Sequence, residues 1–357
     1  MNRYPSYYAS IIVTRELEKE LGKILSRYPE DKIFLVTELN CDKYCLTLIN
    51  KTPGFGQYKK VVILPGEENK KLSSVEKIWL FLSQNGADRK SLVVNIGGGM
   101  LTDLGSFAAS TMKRGMDFVN IPTTLLAQVD ASVGGKTGFN FNGLKNEIGV
   151  INQPNTVLID TRFLRTIDYR NFISGYAEMI KHGLIYSTEH LEEVRNFDLQ
   201  NIDLELLRGI IARSVAIKDS FVFRDPNEQN VRKALNFGHT IGHAFESFAL
   251  ISGNPVLHGY AVAYGMIVEL YLSHKVCNLS SATLDELSQW LFHIYGKFNI
   301  EGNQFESLYE LMTHDKKNEG KRINFTLIPS AGEAAINQNC SKELVFEALE
   351  YYKQLSI

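Results

Sequence analysis

Short apolar runs alternate with amphipathic segments from Ile11 to about Asn155. Leu17 to Ile24 has helix spacing, and Lys32-Ile33-Phe34-Leu35-Val36-Thr37 reads as a strand. Tyr44 to Ile49 fits a helical turn or a strand, Val61 to Leu64 a strand, and Val75 to Gln84 a helix. Leu92 to Ile96 is a continuous apolar run of buried-strand type, and Phe118 to Ile121 is a second strand. Strands that alternate with helices predict an α/β domain with a largely parallel sheet over residues 1–165. Beyond it the texture changes. Phe172 to Tyr186, Leu204 to Val222, Val231 to Phe248, Val262 to His274 and Leu284 to Phe298 all carry helix-period apolar residues. Only Ile323 to Ile328 looks like a strand, so residues 166–357 are expected to form a helical domain.

Composition narrows the class. The 357 residues are 44% hydrophobic and 22% charged, ordinary for a soluble globular protein with length for two cores. A formal net charge of −2 argues against nucleic acid as a partner. Cys41, Cys45, Cys277 and Cys340 are too few and too scattered for a disulfide framework, and no second cysteine pair completes a zinc site with the first two. The first residues lack an apolar signal core and no run reaches membrane-spanning length. A cytoplasmic protein with no membrane partner is expected.

Chemistry concentrates between Ser91 and Asn146. The strand at Leu92–Ile96 ends in Gly97-Gly98-Gly99, and a helix-like segment containing Asp103 follows. Glycines between strand and helix allow close backbone approach to a ligand, and a helix N-terminus offers N–H groups to an anion. The spacing to Gly105 is not the usual dinucleotide fingerprint. Gly135-Lys136-Thr137 imitates the end of a phosphate-binding loop, but Asp130 stands where that loop needs glycine. Ligands of parallel sheets sit beyond the C-terminal strand ends, where Glu38, Glu67, Lys70 and Gly97 to Asp103 fall.

The helical half carries His239 and His243, four residues apart and so on one helical face, followed by His258 in Leu257-His258-Gly259. Glu178 sits in an apolar context, one turn before Lys181. An isolated His pair is more often a hydrogen-bonded core pair than a metal site. Glu178 and His258 tip the balance towards a divalent metal such as zinc. Spacing leaves open which three ligate; His239 with His243 is the simplest choice. Lys136, Lys145, Arg114, Lys181, Lys218, Arg232, Lys316 and Lys317 together would suit a small, multiply anionic substrate.

These residues resemble the 3-dehydroquinate synthases of the sugar phosphate cyclase superfamily. The resemblance spans nearly the whole chain through Gly97-Gly98-Gly99 with Asp103, Pro122 to Ala127, Val129-Asp130 with Gly134-Gly135-Lys136, and Lys145-Asn146. It continues through Ala177 to Lys181, Asn236 to His239 with Gly242-His243, Leu257-His258-Gly259 and Asp315-Lys316-Lys317. The fold it implies is an N-terminal Rossmann-like NAD-binding α/β domain followed by an all-α metal- and substrate-binding domain. It implies metal ligands at Glu178, His239 and His258, which moves His243 to the substrate. NAD contacts would be Glu38, Glu67, Lys70, Gly97, Gly98, Gly99, Asp103, Thr123, Thr124, Lys145 and Thr166. Substrate contacts would be Asp130, Lys136, Asn146, Lys181, Lys218, Arg232, Asn236, His243 and Lys317. Arg114 would reach the phosphate site of a second copy, so a homodimer is implied. The implied activity converts DAHP, a seven-carbon keto-acid phosphate, into 3-dehydroquinate and phosphate. It runs by transient oxidation with NAD beside Zn2+ or Co2+, phosphate elimination, re-reduction and intramolecular aldol closure. Sister cyclases lack the substrate carboxylate that Lys218, Arg232 and Asn236 favour. One departure stands out: the family usually has an acid after His-Gly, and here Tyr260 follows Gly259.

Overall fold

A computed structural model describes residues 2–5, 9–52, 55, 58–142, 144–313 and 323–356. The chain divides into two compact units, one of Met1–Phe172 with Asp198–Asp219, the other of Ile173–Phe197 with Ser220–Ile357. Sequence texture places a single break after residue 165. It cannot register that residues 198–219, helical like their neighbours, group with the first unit.

The first unit is built on β1 (Asn2–Pro5), β2 (Ser10–Val13), β3 (Ile33–Glu38), β4 (Lys59–Ile63), β5 (Leu92–Gly97), β6 (Asp117–Pro122), β7 (Lys136–Phe141), β8 (Leu144–Ile151) and β9 (Thr156–Ile159). Seven of these form one sheet in the order β1-β2-β9-β6-β5-β3-β4. All its pairings are parallel except the β1–β2 edge. The inner strands β3, β5, β6 and β9 are buried along almost their whole length because both faces are covered. Ile33, Leu35, Val94 and Ile96 join the core that holds Leu17 and Leu21 of the Leu17–Leu25 helix. The alternate residues Phe34, Val36 and Val93 pack on the other face with Val75 and Ile78, and with Leu101 and Leu104. Those four come from the helices Leu72–Gln84 and Gly99–Thr111. Within Tyr44–Ile49, Tyr44 ends the helix Leu39–Tyr44 and Leu46–Ile49 forms a short helical turn of its own, with no strand. The antiparallel ribbon β7–β8 has no counterpart in the sequence expectation.

The second unit is helical, as expected, with one addition. The strand anticipated near Ile323–Ile328 is β10 (Phe325–Ser330), and it pairs with an unanticipated β11 (Glu333–Gln338). The periodic stretch from Val231 to Phe248 is not one helix. A 3-10 turn, Val231–Asn236, gives way at Gly238, whose φ of 79° is left-handed, to a helix that begins at His239 and ends at Ile251. The following helix starts at His258 and runs to Cys277. Both histidines thus occupy first helical positions. Among the described residues no helix is long and apolar enough to cross a membrane.

Candidate active site

In the first unit the candidate residues gather at the C-terminal ends of the parallel strands. Glu38 ends β3, Gly97 ends β5, and Thr123 and Thr124 follow β6. The glycine run is required by packing rather than by unusual torsions; none of its three residues has positive φ. A Cβ on Gly97 would lie 2.4 Å from Leu101, one on Gly98 3.1 Å from Thr124, and one on Gly99 3.0 Å from Ala131. Gly105, a turn and a half later, would place a Cβ 2.0 Å from Asn95 Oδ1, within a buried Asn95–Asn120–Ser106 hydrogen-bond cluster. The helix is thereby drawn close to the sheet, and no side chain caps its start at Gly98. An uncapped helix N-terminus is suited to an anion.

Lys70 is buried and donates to Asp103 Oδ2 at 2.6 Å and to Asn146 Oδ1. Burial pushes the Asp103 carboxyl above the ordinary range, and the Lys70 ammonium opposes that shift. Asn146 is held at a left-handed φ of 51°, its N–H bonded to Asn140, whose amide in turn donates to Glu67. Glu67, Lys70, Asp103 and Asn146 therefore form one connected group. Glu38 folds back to accept from the N–H groups of Asn40 and Cys41, capping its own helix. Thr123 meets the Cys41 thiol at 3.2 Å, Thr124 accepts from the N–H of Ala127, and Thr166 bonds to Phe163 O at 3.4 Å. Lys145 lies exposed on β8.

Asp130 sits in the π-helical turn Ala127–Ala131, a type of turn found often at functional sites. Lys218 donates to both Asp130 Oδ1 and its backbone carbonyl, each at 2.6 Å. Lys136 is exposed at the start of β7, behind Gly134 and Gly135 with φ of 107° and 71°. Arg114 is exposed on the Met112–Arg114 turn, itself at a left-handed φ of 67°.

The second unit holds the strongest cluster. Glu178 is fully buried, and its Oε1 lies 3.7 Å from Nε2 of His239 and 3.7 Å from Nε2 of His258. One ligand atom from each of the three falls within 4.8 Å of the others. Lys181 pairs with Oε2 of Glu178, while Oε1 accepts no hydrogen bond. A buried carboxylate oxygen with no hydrogen bond, facing two imidazole nitrogens, has the donor set and spacing of a Zn2+-type site. The other ring nitrogens are engaged: Nδ1 of His239 contacts Phe237 O at 3.1 Å, and Nδ1 of His258 contacts Glu246 at 3.4 Å. Such partners fix the tautomer and leave Nε2 for the cation. His243, the simplest choice by spacing, is displaced. Its ring centre is 5.4 Å from that of His239, and it could instead group with Glu246 and His258.

Glycines make this geometry possible. A Cβ on Gly242 would stand 2.9 Å from Ala261 O, one on Gly265 2.0 Å from Gly238 O, and one on Gly259 1.8 Å from Ser174 O. The two histidine helices and the Glu178 helix therefore meet backbone to backbone. Tyr260 turns away into an aromatic group, edge-on to Tyr295 at 5.4 Å and to Tyr264 at 6.4 Å. Arg232 is buried and donates to Pro226 O. Asn236 donates to Glu228, at a left-handed φ of 56°. Lys317 lies outside the described residues. Sequence reasoning missed Glu246, Glu228 and Glu269. Glu246 follows His243 by three residues, and that spacing was the available signal.

Family models described as 3-dehydroquinate synthase N-terminal and C-terminal match residues 60–174 and 175–318. The chain belongs to the 3-dehydroquinate synthase family. A relative from Parabacteroides distasonis named 3-dehydroquinate synthase is 48% identical, covering 96% of this chain and 98% of its own. Another so named, from Alkaliphilus metalliredigens, is 37% identical over 89% and 88%. Among solved structures, the 2-epi-5-epi-valiolone synthase of Streptomyces hygroscopicus subsp. jinggangensis, with NAD+ and Zn2+ bound, superposes with a TM-score of 0.84. It is 22% identical and covers 99% of this chain and 98% of its own. A 2-deoxy-scyllo-inosose synthase complexed with carbaglucose-6-phosphate, NAD+ and Co2+ gives 0.83 at 23% identity, over 98% and 100%. At such identities these two speak to the fold.

Proposed function

We propose that the chain converts DAHP into 3-dehydroquinate and phosphate, using NAD and a divalent cation, Zn2+ or Co2+. The observation that carries this reading is the buried Glu178 carboxylate, 3.7 Å from Nε2 of both His239 and His258, in a chain 48% identical to a 3-dehydroquinate synthase. When bound, the cation would polarise the hydroxyl to be oxidised, and NAD would take up and return the hydride.

The remaining roles belong to the chain itself. The uncapped helix start after Gly98, with Lys70 and Asp103, supports an assignment of the NAD contacts to Glu38, Glu67, Lys70, Gly97 to Asp103, Thr123, Thr124, Lys145 and Thr166. Lys218 and Arg232 are assigned to the substrate carboxylate. Lys136, Asn146, Asn236, His243 and Lys317 are assigned to the phosphate, and His243 serves as a proton relay. Asp130 holds Lys218 in place, and Lys181 sets the charge beside Glu178. Holding an open-chain intermediate folded favours ring closure through proximity. The working unit is a homodimer in the cytoplasm. Arg114 is exposed and free to reach a second copy, and Phe141, Leu144, Val150 and Ile151 leave an apolar surface on the β7–β8 ribbon.

The test is phosphate release from DAHP by purified protein with NAD and zinc, followed alongside absorbance at 340 nm. The reading requires phosphate without accumulating NADH, lost on chelation and in E178Q. Accumulating NADH would make the chain a dehydrogenase. Release only from an uncarboxylated sugar phosphate would make it a sister cyclase.

A further inference from the structure

Glu269 is fully buried on the helix that begins with His258. Its carboxylate crosses to the start of the other histidine helix. Oε2 accepts the N–H of Gly238 at 2.6 Å, and Oε1 accepts the N–H of Ile241 at 3.2 Å. Those donors flank His239. A side chain from a different helix thus supplies the cap that Gly238, without a side chain, cannot. The choice of a full carboxylate fits the location: a helix N-terminus favours negative charge, and bonds from N–H to an ionised oxygen are the strong kind. Further anchoring comes from the backbone, because Ser273 Oγ donates to Glu269 O at 2.6 Å and accepts from Ile328 N at 3.0 Å.

We propose that Glu269 is a positioning residue of the metal centre, holding the first turn around His239 from the helix that carries His258, so that the two Nε2 atoms keep their common distance to Glu178. The proposal rests on the Glu178–His239–His258 metal reading. It concerns a residue that touches neither metal nor substrate. Removing the carboxylate frees two amides beside His239 and lets that ring drift from the other two ligands. Partners bonded directly to a ligand typically alter metal affinity by about 10- to 100-fold; Glu269 acts through the backbone beside the ligand, at the low end of that range.

The test compares zinc affinity, by competition with a chromogenic chelator, and the visible spectrum of the Co2+-loaded protein in wild type, E269Q and E269D. In E269Q the amide oxygen can still accept from one of the two N–H groups, but the NH2 faces the other as donor against donor, so zinc binding should weaken by about tenfold. The Co2+ band should shift, and the apoprotein should keep its wild-type circular dichroism. E269D, which keeps the charge but loses reach, should fall between the two. Unchanged affinity and spectrum in folded E269Q would overturn the proposal, even if its melting temperature fell. If the variants do not fold, amide exchange in wild type decides: zinc should slow exchange at Gly238 and Ile241, and no change there overturns it. Wild type that binds no zinc would overturn the triad reading and this one together.

Discussion

Lys181 turns its ammonium against Oε2 of Glu178 one helical turn away, and both side chains are closed to solvent, at 1% and 0% exposure. The other oxygen of that carboxylate faces the two histidines. Glu178 is therefore shared between a structural cation and the candidate metal. E178Q should abolish zinc binding and leave Lys181 a buried, unpaired charge, at a cost of about 3 kcal/mol. The double variant E178Q/K181M should recover most of that stability and still bind no zinc. Thermal unfolding and chelator competition on both proteins check this. A double variant no more stable than E178Q would remove the pairing argument.

Lys70 and Asp103 make a second such pair in the nucleotide half, 2.6 Å apart. Burial raises the Asp103 pKa, so ionised Asp103 is a burden to the fold that Lys70 relieves. In K70M that relief is gone. A carboxyl with a raised pKa favours folding while protonated and loses that advantage as pH rises through its folded pKa. K70M should therefore be destabilised by about 2 kcal/mol near neutral pH and much less in mild acid, where Asp103 carries its proton. Denaturant midpoints at both pH values read the difference, and NAD affinity should fall with it.

Asp219, on the helix Leu204–Arg224, offers a cleaner pH probe. Burial pushes its carboxyl up to about 6. Its neutral form stabilises the fold at low pH, and that contribution fades as pH climbs through about 6. D219N keeps the neutral shape at every pH. It should melt about 2 °C above wild type at pH 7.5, an increment already reduced for partial exposure, and converge with wild type below about pH 4. A constant gap across this range would mean that charge is not the cause.

Gly259 tests the backbone contact that sets His258. A methyl there would stand 1.8 Å from Ser174 O, and Gly259 N also donates to Ser174 Oγ at 3.0 Å. G259A should destabilise by about 2–3 kcal/mol and weaken zinc binding, because the helices must part. S174A, which removes the bond without adding bulk, should cost about 1 kcal/mol. Zinc affinity in G259A equal to wild type would show that the helix spacing does not govern the ligands.

The inner strands β3, β5 and β6 were legible because a strand buried on both faces has few residue choices, as at Leu92 to Ile96; β1 and β2 at the sheet's margin were not. Gly97 to Gly99 and the group of Glu178, His239, His243 and His258 stood out as candidate chemistry, and the choice of three ligands came from the family resemblance. Which histidines point together was not, because spacing registers that His239 and His243 share a face but not that a left-handed Gly238 starts a new helix between Phe237 and His239. Buried acids such as Glu246 and Glu269 look like surface glutamates in a periodic pattern, since burial depends on the neighbouring helix. The β7–β8 ribbon escaped because its exposed apolar residues alternate with nothing; Leu144 to Ile151 lacks a buried face to impose a period.

The backbone contacts at Gly238, Gly242, Gly259 and Gly265 carry a consequence for descent. These glycines are dictated by how closely three helices lie, not by what the centre between them binds. A lineage that abandoned the chemistry would shed Lys218, Lys181 or a histidine early, while its glycines stayed under the same steric constraint. The glycines thus answer to helix spacing alone, and the charged residues answer to the chemistry.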